Sequence, residues 1–504
     1  MQENTNSMSL AEKRELFLKL HKEKAVQSND RITPGKRKGK IPVSFMQEQV
    51  LNAETAGSYD PDKTRTVCPY LGYIIKGKIN ISALHKAIQK IVHRQEILRT
   101  NYEAIDNRFY QTINDVPDNI LKVIDLDNLS EDEKKGETEH ITQKRATETF
   151  SLFKDQVMLS ATLITAEEEH VLFIPTDHIA TDGISMGILQ LELLALYQSY
   201  SLNIPIPLPE LPVKYSDYAI WEREKFSGDF LDEKLKYWRQ IPDKINNFLP
   251  YDHKQETVSF DGGTVPVAIL PQITRKLKEL CQKNNVTLFT VLYAAFMKLI
   301  HIFSGYRFNF SNFVVANRKQ RETEMLIGCF IDWQFLIMDF KGNPTFLELL
   351  ERTKNTLLKV YDNYVPFAQM PETIPIHELR ILFQLQSFYD ESNNTSEPVT
   401  GKQSSHPALG SKDNASMPKA GQQPMLFIPL KIKSPTFALF PIEVLLSEAA
   451  DTINGTFTYS RSFYKRSTII NLVNDYILLL SQVIKNPEMR LSETNIKPHK
   501  SIVL

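Results

Sequence analysis

The hydrophobic and polar positions of this chain change between a two-residue and a 3.6-residue period, so that strand-like and helix-like segments follow one another. The two-residue pattern predicts strands at 70–77, 157–166, 170–177, 264–270, 307–316, 380–388 and 454–459. The helical pattern predicts helices at 9–24, from Ser44 through Leu51, and at 82–98, 184–200, 214–239, 273–284, 287–304, 345–361 and 466–485. Mixed strands with covering helices are typical of the α/β (α+β) class.

The series of strands and helices occurs twice, which predicts two α/β lobes with a boundary near 210–220. We expect an N-terminal lobe at 41–215 and a C-terminal lobe at 216–495, with residues 496–504 as a tail. Residues 390–424 are rich in Ser, Asn, Gly, Pro and charge, which predicts a mobile surface loop inside the second lobe.

Residues 1–40 are predicted to hold the short helix at 9–24 and then a basic linker. The segment 31–40 contains five Lys and Arg side chains and no acidic one. Two interpretations stay open at this point: a solvated linker, or a docking patch for an acidic partner.

Composition narrows the classes of protein that fit. The 504 residues carry 59 Lys and Arg against 60 Asp and Glu, a formal net charge of −1, which argues against a nucleic-acid-binding protein. Only 18 glycines occur, and neither G-x-G-x-x-G nor G-x-x-x-x-G-K-[ST] is found, so no phosphate-binding loop is expected. The aromatic residues between Tyr215 and Trp238 have helical spacing and are interpreted as core rather than as a base-stacking surface.

Cysteines and histidines give no sign of a metal site. Cys68, Cys281 and Cys329 are scattered and are interpreted as small apolar fillers in a reducing compartment. The histidines lack metal-ligand spacing, so no metal is predicted. The most apolar stretch, 468–484, is interrupted by polar residues, and no membrane-spanning segment or secretory signal is expected. A cytoplasmic protein, expected to be monomeric, fits these features.

The chemistry-bearing segment is T-D-H-I-A-T-D-G-I-S-M-G, residues 176–187, where a predicted strand ends in a polar turn before a helix. His178 can act as a base there, with Asp182 as its orienter, or the pair can be a surface histidine beside a helix-capping aspartate. Gly183 to Gly187 also match G-x-S-x-G, but the strand ends near Pro175, too early for a nucleophile elbow. Ser185 is therefore expected in the first turn of a helix.

His178, Asp182 and Gly183 resemble the H-H-x-x-x-D-G signature of condensation domains from nonribosomal peptide synthetases, which share the chloramphenicol acetyltransferase fold. Further blocks resemble the family in the right order from about residue 41 to 495. They lie at 40–51, 93–102, 211–224, 237–238, 314–321, 326–332, 364–370, 438–448 and 455–469.

The resemblance implies two chloramphenicol-acetyltransferase-like lobes in a V shape with a substrate tunnel between them. It implies transfer of an acyl group from a carrier-protein thioester to an amine, in nonribosomal peptide or hybrid polyketide biosynthesis. The implied partners are donor and acceptor carrier proteins, whose 4′-phosphopantetheine arms hold the substrates, so no cofactor is expected on the chain itself. His178 would contact the nucleophile as base or orienting acceptor, Asp182 would pair with Arg318, and Gly183 would let substrate approach the backbone. No adenylation or carrier domain is recognised in the chain, so either a free-standing condensation enzyme or a domain excised from a larger synthetase is expected, and the polar start after Met1 favours the free-standing enzyme.

Three departures from the family pattern keep alternatives open. Asp177 replaces the first histidine, Asp332-Trp333 replaces the usual Asn-Thr, and Pro441 stands where Asp is common. Ser185 and Trp333 are candidate residues of the substrate tunnel, and Trp333 can instead pack between the lobes. Ester formation on a hydroxyl acceptor is one alternative function. Heterocyclisation is another, since Asp177, Asp182 and Ser185 fit D-x-x-x-x-D-x-x-S. A non-catalytic domain that recruits another enzyme is a third.

Overall fold

The fold is seen in a computed structural model, which describes residues 31–35, 39–55, 68–166, 169–242, 245, 249–253, 260–371, 374, 380–386, 426–432, 436–449 and 451–496. The predicted helix at 9–24, the predicted loop at 390–424 and residues 497–504 of the predicted tail lie outside the described residues. Part of the basic linker, 36–38, lies outside them as well.

The first half of the chain contains a mixture of strands and helices. Its strands are β1 (Ile41–Pro42), β2 (Tyr70–Lys76), β3 (Thr100–Ile105), β4 (Arg108–Ile113), β5 (Leu121–Asp125), β6 (Ala161–Ala166) and β7 (Glu169–Pro175). Its helices are α1 (Phe45–Thr55), α2 (Ile81–Arg94), α3 (Glu131–Thr147), α4 (Gly183–Leu202), α5 (Tyr215–Lys225) and α6 (Gly228–Trp238).

The second half repeats this mixture with longer strands. Its strands are β8 (Gly262–Ile269), β9 (Phe308–Val315), β10 (Asp332–Asp339), β11 (Ile381–Gln386), β12 (Leu426–Pro429), β13 (Ile442–Ala449) and β14 (Thr452–Ser460). Its helices are α7 (Pro271–Asn284), α8 (Leu288–Ser304), α9 (Phe346–Asp362) and α10 (Arg466–Lys485).

Three sheets organise these strands. A five-stranded sheet has the order β12-β2-β7-β6-β5, a six-stranded sheet the order β10-β9-β11-β13-β14-β8, and a small sheet the order β1-β4-β3. Both large sheets are mixed, because β5–β6, β9–β11 and β11–β13 are parallel pairs and their other pairs are antiparallel. The predicted hairpin before the motif is confirmed as β6 and β7, in which Leu163 pairs with Leu172.

Each large sheet buries its own hydrophobic core. In the N-terminal lobe, α2 and α4 pack together over the five-stranded sheet, with Leu84, Ile88 and Leu193 essentially without solvent exposure. In the C-terminal lobe, α8 runs through the middle of the core and is buried along almost its whole length, because its sequence is apolar on every face. Helix α10 packs against it through residues such as Tyr476 and Leu480.

Helix α10 is also long and apolar enough to cross a membrane, and it is the one single helix of this kind in the described part of the chain. Its most apolar window is 39% buried inside the protein, and that buried side belongs to the core of the C-terminal lobe. Core burial therefore accounts for its apolar residues.

Several predicted elements differ from the structure. The single helix expected at 214–239 is two helices, α5 and α6, because the chain turns at Ser227 and at Gly228, whose φ is +55°. The helix expected at 82–98 begins one residue earlier, at Ile81, with Asn80 as its N-cap, and ends at Arg94 before a short 3₁₀ turn at Glu96–Arg99.

The sequence ranges of the lobes also need one correction. Strand β12, inside the range assigned to the C-terminal lobe, pairs antiparallel with β2 and so forms the edge of the N-terminal sheet. Leu326, Ile327 and Phe330 likewise pack into the core of the N-terminal lobe. Strand β12 and the segment around Leu326–Phe330 therefore place residues from the second half of the chain in the lobe that contains His178.

Candidate active site

The motif loop, residues 176–182, connects the buried strand β7 to α4. Asp177 closes its first turn, since its Oδ1 accepts a hydrogen bond from the Ile179 amide (2.8 Å) and its carbonyl accepts one from Thr181 Oγ1 (3.0 Å). Asp182 is the N-cap of α4, with Oδ1 accepting from the Ser185 amide at 2.7 Å. The loop is therefore fixed at both ends by aspartates.

His178 is the residue that this loop presents outward. Its side chain is exposed, whereas the following Ile179 and Ala180 are completely buried. Its Nδ1 lies 3.8 Å from the Cys329 sulfur, which comes from the C-terminal half of the chain. One ring nitrogen thus faces the protein, and the ring remains accessible to a substrate.

Asp182 and Arg318 form a buried ion pair. Arg318 Nη2 donates to Asp182 Oδ1 at 3.1 Å, and the two side chains are 1% (Asp182) and 6% (Arg318) exposed. The same guanidinium donates from Nη1 to the carbonyls of Thr323 (2.7 Å) and Leu326 (2.8 Å). Because Asp182 also accepts from the Phe330 amide at 3.0 Å, its carboxylate is fully engaged and has a holding function in this geometry.

Ser185 is enclosed in the same cluster. Its Oγ donates to the Gly328 carbonyl (2.7 Å) and accepts from the Gly328 amide (3.0 Å) and Arg318 Nη2 (2.8 Å). These contacts use its one donor and both lone pairs, and the side chain is buried. Ser185 is therefore a structural link between the lobes and not an exposed nucleophile.

Gly183 and Gly328 differ in how much room surrounds their Cα atoms. A Cβ on Gly183 would meet no atom within 4 Å, so the backbone at Gly183 borders open space. A Cβ on Gly328 would lie 2.1 Å from Cδ2 of Tyr215, so only glycine fits there. The hydroxyl of Tyr215 in turn donates to the Cys329 carbonyl at 2.7 Å.

Cys329 is a neighbour of the His178 side chain that the sequence did not predict. It was expected to be a small apolar filler, but its sulfur contacts the imidazole of His178. Burial, followed by the charges of Asp182 and Asp177, raises the pKa of its thiol well above the ordinary range, so the sulfur keeps its proton. Its position directly after Gly328, in the block 326–332, was the available signal.

Trp333 lies at the start of β10, apart from the hydrogen-bonded cluster around Asp182. It is half-buried, with its ring edge-on to those of Phe367 (5.3 Å between centroids) and Phe440 (5.5 Å). Its neighbour Asp332 is fully buried and accepts hydrogen bonds from the Tyr364 hydroxyl (2.7 Å) and the Trp333 amide (2.9 Å). Burial, with a smaller contribution from Glu222, raises the pKa of Asp332 to about 7.

Among the described residues, no three His, Cys, Asp or Glu side chains are grouped so as to hold a metal ion. The groups that this site offers to a substrate are one exposed imidazole, the open backbone at Gly183 and the positive end of α4.

Comparison with known proteins places this geometry in a family. The sequence model of the condensation domain matches residues 37–501, so the chain belongs to the condensation-domain family. Members of this family are generally acyltransferases of nonribosomal peptide synthesis, and they work with carrier-protein domains.

Among curated relatives, a linear gramicidin synthase of Brevibacillus parabrevis is 29% identical over 487 residues. The match covers 92% of this chain and 9% of that synthase. The chain thus corresponds to a small part of the length of this relative.

Two solved structures show the same fold. The X-domain from teicoplanin biosynthesis has a TM-score of 0.74 at 20% identity, over 92% of this chain and 99% of that one. The first condensation domain of the calcium-dependent antibiotic synthetase has a TM-score of 0.63 at 14% identity, over 91% and 99%. The expected fold class, of the chloramphenicol acetyltransferase type, is confirmed.

Proposed function

We propose that this protein is an active condensation enzyme that moves an acyl group from a carrier-bound thioester to the amine of a carrier-bound acceptor. The observation that carries the proposal is the exposed imidazole of His178 on a loop held by the buried Asp182–Arg318 pair. A reacting group must be accessible to the substrate, whereas the residues that hold it in place are best buried. His178 is accessible in this site, and the Asp182–Arg318 pair that holds its loop is buried.

In the proposed reaction, the acceptor nitrogen forms a bond to the thioester carbonyl carbon. The carbon–sulfur bond breaks, and the phosphopantetheine thiol leaves with a proton. His178 accepts a hydrogen bond from the attacking amine, receives its proton and passes one proton on to the departing sulfur. An α-amino group has a pKa of about 7.7–8.0, so an appreciable fraction is already neutral near pH 7 and positioning supplies much of the acceleration.

The other site residues have supporting roles in this proposal. Gly183 leaves room for the reacting carbonyl beside the backbone, and the N-terminus of α4 favours the developing oxyanion. Asp182, Arg318 and Ser185 hold the loop against the C-terminal lobe. Asp177 takes the place of the first family histidine as an acceptor for its own loop. Trp333 is proposed to line the substrate tunnel.

The exposed His178 favours condensation over heterocyclisation, because the heterocyclisation subfamily normally lacks this histidine. Asp182 and Ser185, which also fit the heterocyclisation pattern, are occupied by hydrogen bonds across the lobes. They therefore do not distinguish the two reactions.

The test is intact-mass analysis of donor- and acceptor-loaded carrier proteins mixed with the purified protein. We expect the acceptor carrier to gain the mass of the acyl group with wild type, and the rate to fall by about 10²–10⁴-fold for His178→Ala with a hydroxyl acceptor. With an amine acceptor the loss is smaller, because the amine needs less help with its proton. His140→Ala, which removes an exposed histidine on α3, is the matched control and should act like wild type.

The outcomes separate the candidate functions. Transfer to a hydroxyl but not to an amine acceptor would replace amide by ester formation. Equal ester rates for wild type and His178→Ala would remove the assigned role of His178. No transfer with any cognate pair of carriers would favour a recruiting domain without catalysis.

A further inference from the structure

The side chain of Cys329 contacts the proposed catalytic ring from its protein-facing side. Cys329 Sγ and His178 Nδ1 are 3.8 Å apart, within the range of hydrogen bonds to sulfur, and Cys329 is 1% exposed. The two residues are 151 positions apart in the chain, so their contact is produced only by the packing of the two halves.

The backbone around Cys329 is held by four hydrogen bonds from three residues of the N-terminal lobe. Ser185 binds both the amide and the carbonyl of Gly328, Tyr215 donates to the Cys329 carbonyl, and Asp182 accepts from the Phe330 amide. Three consecutive residues are thus fixed, and the thiol between them has a defined position.

The partner of one imidazole nitrogen decides which nitrogen carries the proton. If Nδ1–H donates to a neighbour, Nε2 is unprotonated and can accept a hydrogen bond from a nucleophile. If Nδ1 accepts from a neighbour, Nε2 carries the proton and cannot act as a base. Sulfur can play either part, so the orientation of the thiol proton is decisive.

The surrounding charges orient that proton. Asp182 and Asp177 act on the thiol with negative charge and together outweigh the positive charge of Arg318, so the net field around the sulfur favours an S–H proton turned toward the carboxylates and away from Nδ1. The sulfur lone pairs are then left for Nδ1–H. Neither of the other cysteines, Cys68 and Cys281, has this position: Cys281 is buried in the core of the C-terminal lobe, and Cys68 contacts the Glu148 carbonyl.

We infer that Cys329 is a positioning residue for His178: its sulfur accepts the Nδ1–H hydrogen bond and leaves Nε2 as the acceptor that faces the incoming nucleophile. This inference rests on the proposed function of His178. Cys329 itself touches no substrate and takes no part in bond making.

The first test reads the tautomer of His178 directly and needs no substrate. Protein labelled with ¹⁵N at histidine is examined by long-range ¹H–¹⁵N correlation at a pH where the ring is neutral, and His178→Ala assigns the signal. We expect the Nδ1–H tautomer in wild type. We expect a shift toward the Nε2–H tautomer, which predominates in free histidine, in Cys329→Ala. Cys329→Ser keeps an acceptor at the same place and should retain the wild-type pattern.

The second test is kinetic. Cys329→Ala should lower kcat by about tenfold to hundredfold, because Nε2 of His178 is then no longer held as the acceptor that faces the nucleophile. The KM for either carrier should change little, because Cys329 touches no substrate. Cys329→Ser should recover most of the rate. Cys281→Ala removes an equally buried thiol from the core of the C-terminal lobe and is the matched control, with the wild-type tautomer and kcat expected.

Two results would overturn the inference: an Nε2–H tautomer in wild type, or a Cys329→Ala spectrum identical to that of wild type. The wild-type measurement stands even if Cys329→Ala does not fold. Failure of the proposed function is distinguishable, because a protein without transfer activity still reports its tautomer. Conversely, if the enzyme is active but Cys329→Ala leaves the tautomer of His178 unchanged, only this inference is contradicted and the proposed function stands.

Discussion

Among single residues, the site separates reachable from buried polar groups. His178 and Gly183 border open space, whereas the side chains of Asp182, Ser185 and Arg318 are buried and make hydrogen bonds to one another and to backbone groups at 323–330. A buried carboxylate and guanidinium stabilise a unique geometry only when both are present, since either one alone is an uncompensated charge. The loop position of His178 therefore depends on residues from both halves of the chain.

The two glycines of the site should respond oppositely to substitution by alanine. Gly328→Ala places a methyl group against Tyr215 and should lower the free energy of unfolding by about 1–3 kcal/mol. Gly183→Ala meets no atom of the protein, and alanine is the better helix former, so stability should be unchanged or rise by up to about 1 kcal/mol. Urea unfolding measures both values.

Gly183→Ala should nevertheless lose acyl-transfer activity, because its methyl group occupies the space proposed for the reacting carbonyl. A stable Gly183→Ala protein with the full wild-type rate would show that substrate does not approach this backbone.

His178, Asp182, Gly183 and Arg318 could be proposed as site residues from the sequence, because their family motifs are short and local, and their roles stay predictions. The sequence was not sufficient for Cys329 or for the enclosure of Ser185. The partners of these side chains lie more than 130 positions away, and no periodic pattern reports such contacts. Only the packed lobes bring them together.

Among helices and strands, the helices rich in apolar residues were predicted well, including α8, which is apolar on every face, and a mostly charged helix was missed. Helix α3 was missed because its residues are mostly charged and exposed, which leaves no hydrophobic period. The hairpin of β3 and β4 was missed although Asp106 and Asn107, both with positive φ, form its two-residue turn. Strand β12 has four residues, and its partner β2 is far away in sequence, so periodicity alone gives too little signal.

Strand β12 should contribute measurably to the stability of the N-terminal lobe. Phe427 is 8% exposed and packs edge-on against Tyr73 and Tyr197, so Phe427→Ala should lower the free energy of unfolding by about 3 kcal/mol. Amide hydrogen exchange in β2 should accelerate as the strand detaches. Phe230→Ala, which truncates a phenylalanine 39% exposed on α6, is the matched control and should change stability little. Equal losses for both variants would contradict the anchoring role of β12.

Across the molecule as a whole, two buried carboxyl groups, Glu222 and Asp332, interact near the start of β10, and Glu222 also binds the N-terminal half of the chain. Glu222 on α5 accepts from the Phe45 amide (2.9 Å) and the Tyr218 hydroxyl (2.6 Å), and Asp332 accepts from Tyr364. Burial raises the pKa of both carboxyl groups. Their protonation therefore links the stability of the assembled lobes to pH.

The folded protein should lose stability as the pH rises. Asp332 has a pKa of about 7 when folded and near its ordinary value of 3.8 when unfolded, so the unfolded chain releases its proton first. Its contribution is fully present below about pH 4 and is lost as the pH rises through about 7, on the order of 4 kcal/mol in total. Asp332→Asn should flatten this dependence in urea unfolding between about pH 5 and 8.

Asp339, at the opposite end of β10, is the matched control. A hydrogen bond from Arg307 lowers its pKa, so its contribution is lost only in acid and Asp339→Asn should not alter the slope between about pH 5 and 8. An unchanged slope in Asp332→Asn would show that Asp332 is already ionised in the folded protein in mild acid.

The edge strand β12 has a consequence for how the chain folds during synthesis. β2 ends at Lys76, but the strand that covers its free edge begins only at Leu426. At about 5–20 residues per second, a ribosome needs roughly 20–70 s to make the intervening chain. During that interval the nascent N-terminal lobe exposes an unpaired β-edge, the feature through which sheets aggregate. We therefore expect the first 215 residues, expressed alone, to depend on chaperones for solubility. A circularly permuted chain whose synthesis begins just before β12 makes that strand before β2, and we expect it to depend on chaperones less.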